Sequence, residues 1–162
     1  MAANAFSRSA FLNTSKPPGR ANILLIEDDP IIAEDLHNLL TYEGYRVVSR
    51  YKNLFATPRH FAEQIDQIVT GESISLVLTD INLGPAFDGI DIARHARRKW
   101  GIPVIYISGY AQTGTVLRAR KTRPVAYLLK PFHAADLMAK IKTALAIDLN
   151  RAKRQKKFGD DD

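Results

Sequence analysis

Four apolar runs in this chain end in side chains that carry a charge or a hydroxyl. Ile74-Ser75-Leu76-Val77-Leu78-Thr79 leads into Asp80, and Ile23-Leu24-Leu25-Ile26 leads into Glu27-Asp28-Asp29. Val104-Ile105-Tyr106-Ile107 ends in Ser108-Gly109, and Val125-Ala126-Tyr127-Leu128-Leu129 ends in Lys130-Pro131. Short apolar runs bounded by turn residues read as buried strands. In an open parallel α/β sheet the carboxyl ends of the strands share one rim, outside which ligands bind. The acids, the hydroxyl and the lysine are therefore expected to converge on one point. Glu27, Asp28 and Asp80 would offer hard oxygen ligands of the kind Mg²⁺ takes, with waters completing its octahedron. Lys130 would add a compact positive charge.

The segments between the runs carry helix signals that could build such a rim. Asp29-Pro30 is a cap followed by a first-turn proline, and Ile32, Leu36, Leu39 and Leu40 then form a stripe that Gly44 stops. Tyr45 to Arg50 reads as a second strand, and Thr57-Pro58 opens a helix carrying Phe61, Ile65, Ile68 and Val69 up to Gly71. Gly89 to Lys99 makes a third helix and Gln112 to Arg120 a fourth, poor in large apolar residues. A fifth helix is expected from about Ala134 to Leu149, with Leu137, Ile141, Ala144, Leu145 and Ile147 on one face. Five strands alternating with five helices predict an α/β fold, a parallel sheet with right-handed crossovers and helices on both faces.

Bulk properties narrow the setting. At 162 residues the chain has one-domain length, and residues 1–20, with Pro17-Pro18-Gly19 and scattered apolar Phe6, Phe11 and Leu12, read as a flexible arm before a domain over 21–150. There is no cysteine, which excludes disulfides and thiolate metal sites. No apolar stretch approaches the ~20 residues of a membrane span and no signal peptide is evident, so a cytoplasmic protein is expected. The net charge of +6 is partly concentrated in Arg151, Lys153, Arg154, Lys156 and Lys157, within a charged tail over 151–162 that ends in Asp160-Asp161-Asp162. Such a run usually remains solvated, so nucleic acid is not the expected partner.

The set of strand-end residues and their order resemble the receiver domain of two-component response regulators over roughly Asn22 to Asn150. Asp88-Gly89 opening a helix, Tyr127 three residues before Lys130, and Lys130-Pro131-Phe132 strengthen the resemblance. It implies a flavodoxin-like, doubly wound five-stranded sheet in order 2-1-3-4-5. It also implies Asp80 as phosphoacceptor, Glu27 and Asp28 as the acid pair, Ser108 as switch hydroxyl and Lys130 as active-site lysine, reached through a cis Lys130-Pro131 bond. Asp28, Asp80 and the backbone carbonyl of Asn82 would ligate Mg²⁺, or Mn²⁺ in its place, with Glu27 acting through water. Asp29 is left to cap the first helix.

Read this way, the chain is a stand-alone response regulator, phosphorylated on Asp80 by a sensor histidine kinase or phosphotransfer protein. It is not an enzyme in the usual sense, although it catalyses its own phosphorylation and slow autodephosphorylation. Ser108 would draw the following loop inward and Tyr127 would swing toward the vacated space. The face of helix four, strand five and helix five is thereby remodelled for a downstream protein partner or a homodimer. Asn82 and Tyr110, two positions beyond the phosphoacceptor and the switch hydroxyl, would flank the approach of hydrolytic water.

Taken singly, each of these residues has a plainer reading. Asp28-Asp29 before Pro30 can be a helix cap, Asp80 a turn residue, Lys130 a solvated strand end, Ser108 a turn former and Tyr127 a core aromatic. Their conjunction at separate strand ends carries the weight. His37, His60, His95 and His133 have no metal-ligand spacing and receive no chemistry. Two departures from the family pattern are an extra residue between Asp80 and Asp88 and a long stretch from Arg50 to Ile74. The alternative function is an unphosphorylated scaffold of the same fold acting through protein or nucleic-acid contacts. A haloacid-dehalogenase-like phosphatase is excluded, because a second aspartate is expected where Asn82 stands.

Overall fold

The computed structural model describes residues 21–50, 58–83, 88–109 and 112–157. The N-terminal arm, Thr57, the residues of the lengthened loop at 84–87, Tyr110 and the acidic end lie outside them. Strands β1 (Asn22–Ile26), β2 (Arg46–Arg50), β3 (Ile74–Asp80), β4 (Val104–Ser108) and β5 (Ala126–Leu129) alternate with helices α1 (Pro30–Tyr42), α2 (Pro58–Glu72), α3 (Gly89–His95), α4 (Thr113–Arg120) and α5 (Ala134–Lys157). All strand pairs are parallel, and the sheet order is β2-β1-β3-β4-β5, as the resemblance implied.

Alternation along the strands sorts the core into two layers, because successive side chains in a strand point to opposite faces. Leu24, Ile26, Val77, Val104 and Tyr106 pack with Ile65 of α2 and Ile90, Ala93 and Ala119 of α3 and α4. Ile23, Leu25, Leu76, Leu78, Ile105 and Ile107 pack with Leu36 and Leu40 of α1 and Leu137, Ile141 and Ala144 of α5. The apolar runs lack polar alternation because both faces of the sheet are covered.

The helix boundaries follow local chemistry, with three corrections to expectation. Asp29 caps α1 as expected, its side chain accepting from the Ile31 and Ile32 N–H groups. The second helix continues through Gly71 to Glu72, and Ser73, at φ 49°, reverses the chain directly before β3. The third helix is α-helical only to His95; Ala96–Trp100 form a wider π-turn closed by Gly101 at φ 66°. In such a turn residues five apart stack, so Trp100 joins His95 and Lys99 in binding Asp66 of α2.

The last correction concerns the chain's basic segment. The final helix does not stop near Leu149 but runs on through residues 151–157, which were expected in a solvated tail. Nothing between Leu149 and Lys157 breaks it: the segment is Asn, Arg, Ala, Lys and Gln, without glycine or proline, and most of these are good helix formers.

Candidate functional site

Strand register brings the predicted residues to one rim. In β1 the inward parity of Ile23 and Leu25 is continued by Glu27, and in β3 that of Leu76 and Leu78 is continued by Asp80. Lys130 continues the parity of Ala126 and Leu128. The three side chains therefore emerge on the same side of the sheet and meet. Lys130 Nζ donates to Glu27 Oε2 and to Asp80 Oδ2, both at 2.8 Å. The Lys130-Pro131 bond at this corner is cis, as expected.

Each carboxylate has a second, fixing contact. Asp80 Oδ1 accepts from the Asn82 backbone N–H at 2.9 Å, and Glu27 Oε1 accepts from that of Asp29 at 3.1 Å. Glu27 is almost fully buried, and burial pushes its carboxyl above the usual range, although the bond from Lys130 pulls the other way. Burial opposes the charge on Lys130, but its bonds to Asp80 and Glu27 win and hold its ammonium above the ordinary lysine value. Asp80 is also buried, whereas Asp28 is exposed to solvent at the mouth.

Oxygen atoms of Glu27, Asp28 and Asp80 all lie within 4.8 Å of one another. Three carboxylates so close fit a hard divalent cation that would offset their repulsion. Asn82 is exposed beside Asp80, joined to it through its N–H.

Ser108 and Tyr127 take the opposite parity. The Lys130 backbone N–H donates to the Ser108 carbonyl at 2.8 Å, which fixes Ser108 next to the lysine's strand end. Its hydroxyl is buried and has no hydrogen-bond partner among the described residues. Buried hydroxyls are rarely left so. The Tyr127 ring lies 5.2 Å from that of Tyr106 and its hydroxyl is likewise buried without a partner among the described residues, so any movement starts from an inward ring.

Two supports of the site were not anticipated from sequence. At Gly89 a Cβ would stand 1.9 Å from the Asp80 carbonyl oxygen, so the start of α3 can press against the backbone of Asp80 only as glycine. The Asp88-Gly89 pair was a legible helix start, but nothing local announced this approach. Asp88 caps α3 with one oxygen, accepting from Ile90 and Asp91, and receives Arg118 of α4 on the other at 2.9 Å. Ala119 is the one residue of α4 that is buried, so this ion pair is a principal tie of α4 to the site.

Comparison with known proteins agrees with this geometry. The response regulator receiver domain family matches residues 23–142. The transcriptional regulatory protein PdtaR of Mycobacterium tuberculosis H37Rv is 30% identical over 124 residues, covering 76% of this chain and 56% of that protein. The phyllosphere-induced regulator PhyR of Methylorubrum extorquens is 29% identical over 133 residues, covering 82% and 46%. The chain thus spans about half the length of these relatives. Among solved structures, the signal receiver domain of a modulated diguanylate cyclase from Desulfovibrio desulfuricans G20 has a TM-score of 0.70 at 26% identity, covering 82% of this chain and 98% of that one. A CheY-like response regulator receiver domain protein from Methanospirillum hungatei JF-1 has a TM-score of 0.66 at 28% identity, with the same coverage.

Proposed function

The chain belongs to the response regulator receiver family, and from that premise we propose that it accepts a phosphoryl group on Asp80 from a sensor histidine kinase or phosphotransfer protein. The observation that carries the reading is the Asp80 carboxylate itself, buried at the sheet's rim, bonded to Lys130 and clustered with Glu27 and Asp28. A carboxylate oxygen of Asp80 attacks the phosphorus of a phosphohistidine, the P–N bond breaks, and the histidine leaves with the electron pair. Asp28, Asp80 and the Asn82 carbonyl would hold Mg²⁺, with Glu27 acting through water, and the ion when bound would neutralise charge on the transferred group.

The chain's own groups supply positioning. Lys130, whose ammonium its two carboxylate partners hold above the ordinary lysine value, donates to Asp80 before transfer; afterwards that ammonium is at hand for a phosphoryl oxygen. The Ser108 hydroxyl can donate to another phosphoryl oxygen without surrendering an existing bond among the described residues. That donation draws the loop after Ser108 toward Asp80, and Tyr127, which is not pinned by a hydrogen bond of its hydroxyl among the described residues, adjusts with it. The α4, β5 and α5 face changes as a result and presents itself to a downstream protein or to a second copy of the chain. Tyr110, proposed to screen the phosphorus from water, lies outside the described residues.

The test is phosphorylation with acetyl phosphate and Mg²⁺, read by intact mass. One added phosphoryl group is expected on the native chain and none on Asp80→Asn. Undiminished labelling of that variant refutes the assignment.

A further inference from the structure

The structure contains a basic cleft at the end of the sheet opposite to Asp80. Its volume is about 540 Å³, and it is lined by Arg94, Arg97, Arg98, Lys121, Thr122 and Arg123. Five of these six side chains are cations and none is an acid. Arg94 pairs with Asp91 at 3.0 Å. The cleft forms where the π-turn after α3, leading into β4, faces the turn between α4 and β5.

Its floor is fixed. Thr122 is buried, donates to the Ala119 carbonyl at 2.7 Å and shares a 2.8 Å hydrogen bond with the buried Tyr106 hydroxyl. Arg123 sits at φ 53°, in the left-handed region that glycine or asparagine usually fills after a helix. An arginine there costs on the order of 1 kcal/mol against glycine, and it places one more guanidinium beside the cleft.

We propose that this cleft binds the sugar–phosphate backbone of duplex nucleic acid. Clustered guanidinium groups match phosphate oxygens in bidentate geometry. No aromatic side chain is among the residues that line the cleft, which disfavours the base stacking that single strands need and favours recognition of backbone alone.

The last helix runs on toward the same end of the sheet. At 1.5 Å per residue its 24 residues span roughly 36 Å, whereas the five-residue β4 spans about 17 Å. The helix starts at the Asp80 rim and runs antiparallel to the strands, so the turns that carry Arg151, Lys153, Arg154, Lys156 and Lys157 lie beyond the same end of the sheet that holds the cleft. A long polyanion can meet both; a small phosphate ligand would use the cleft alone. The expectation against nucleic acid rested on assigning the excess charge to a solvated tail, and the fold instead concentrates a second share of it on the domain.

The test is fluorescence anisotropy of a labelled 20-base-pair DNA duplex with the full chain between 50 and 200 mM NaCl. Micromolar to sub-millimolar binding with a steep salt dependence is expected. The triple variant Arg98→Ala, Lys121→Ala, Arg123→Ala, whose basic helix end is intact, should bind at least about tenfold more weakly and lose roughly 3 from the log–log salt slope. Arg98→Lys with Arg123→Lys should keep most of the slope, and a thermal melt of the triple variant should match the native protein. An unchanged slope in the triple variant assigns binding to the helix end and overturns the proposal. So does binding of inorganic polyphosphate or poly-glutamate with no binding of the duplex.

Discussion

Replacing Gly89 by alanine probes how tightly α3 presses on the phosphoacceptor strand. The added Cβ would lie 1.9 Å from the Asp80 carbonyl oxygen, 2.9 Å from the Asp80 carbonyl carbon and 3.0 Å from Thr79 Oγ1, whereas ordinary contact begins near 3.4 Å. Either the start of α3 or the Asp80 peptide must therefore retreat by about 1.5 Å. The Gly89 N–H donates to the Ile81 carbonyl at 2.9 Å, and that bond ties the same two segments together. Overpacking of this kind costs about 1 to 3 kcal/mol and a strained hydrogen bond roughly 1 more, offset by up to about 1 from alanine's better helix propensity. A net loss of roughly 1 to 3 kcal/mol should lower Tm by about 3 to 10 °C in a chain of this size. Gly114 of α4, where a Cβ would meet nothing within 4 Å, is the internal reference: Gly114→Ala should stabilise by about 0.5 to 1 kcal/mol. Urea and thermal melts of both variants measure the contrast, and labelling by acetyl phosphate should slow in Gly89→Ala alone, since the Asp80 peptide is what moves. A Gly89→Ala protein within about 0.5 kcal/mol of native stability and labelled at the native rate would refute the reasoning.

Three further outcomes follow from the same contacts. Lys130→Ala leaves the buried Glu27 and Asp80 carboxylates without their cation and should cost about 3 kcal/mol near neutral pH. Because burial already raises the folded pKa of Glu27, the variant should regain stability as pH falls through that value; urea melts from pH 8 to 5 that show no narrowing of the gap would contradict this. Asp66 is held down to about 2, burial opposing its charge but the bonds from Lys99, Trp100 and His95 prevailing. Its contribution is present above the unfolded value of 3.8 and lost as pH falls toward 2, so Asp66→Asn should cost about 1 kcal/mol at pH 7, after allowance for solvent screening, with the difference closing below pH 4. Asp28→Ala removes the exposed member of the carboxylate cluster and should weaken Mg²⁺ binding about tenfold or more by calorimetric titration; equal affinities would remove Asp28 from the ion's ligands.

Much of this protein was legible in the sequence. The strands could be read because each is a short apolar run ending in a turn, and β1, β3, β4 and β5 end within a residue or so of where those runs stop. Asp29-Pro30 and Asp88-Gly89 marked helix starts through a local bond between a side chain and the next turn, which needs no tertiary partner. Glu27, Asp28, Asp80, Ser108 and Lys130 could be gathered at one rim because a parallel sheet aligns all its carboxyl ends.

Other features depended on the packed chain. The bond of Lys130 to both Glu27 and Asp80 spans 103 and 50 positions, and the burial that raises the Glu27 carboxyl arises only in the packed chain. Asp66, unremarkable on a helix surface, acquires three partners because the π-turn after α3 turns His95, Lys99 and Trp100 toward it. Gly89 had to be glycine for a contact with a carbonyl nine residues earlier. The basic cleft joins residues 94–98 to residues 121–123 across a strand, and the basic end of the last helix emerges at the same edge of the sheet. Local pattern determines strands, caps and the polarity of faces because those depend on neighbours in the chain. Charge pairing, close backbone approach and surface clustering depend on neighbours in space, and the tertiary structure alone decided them.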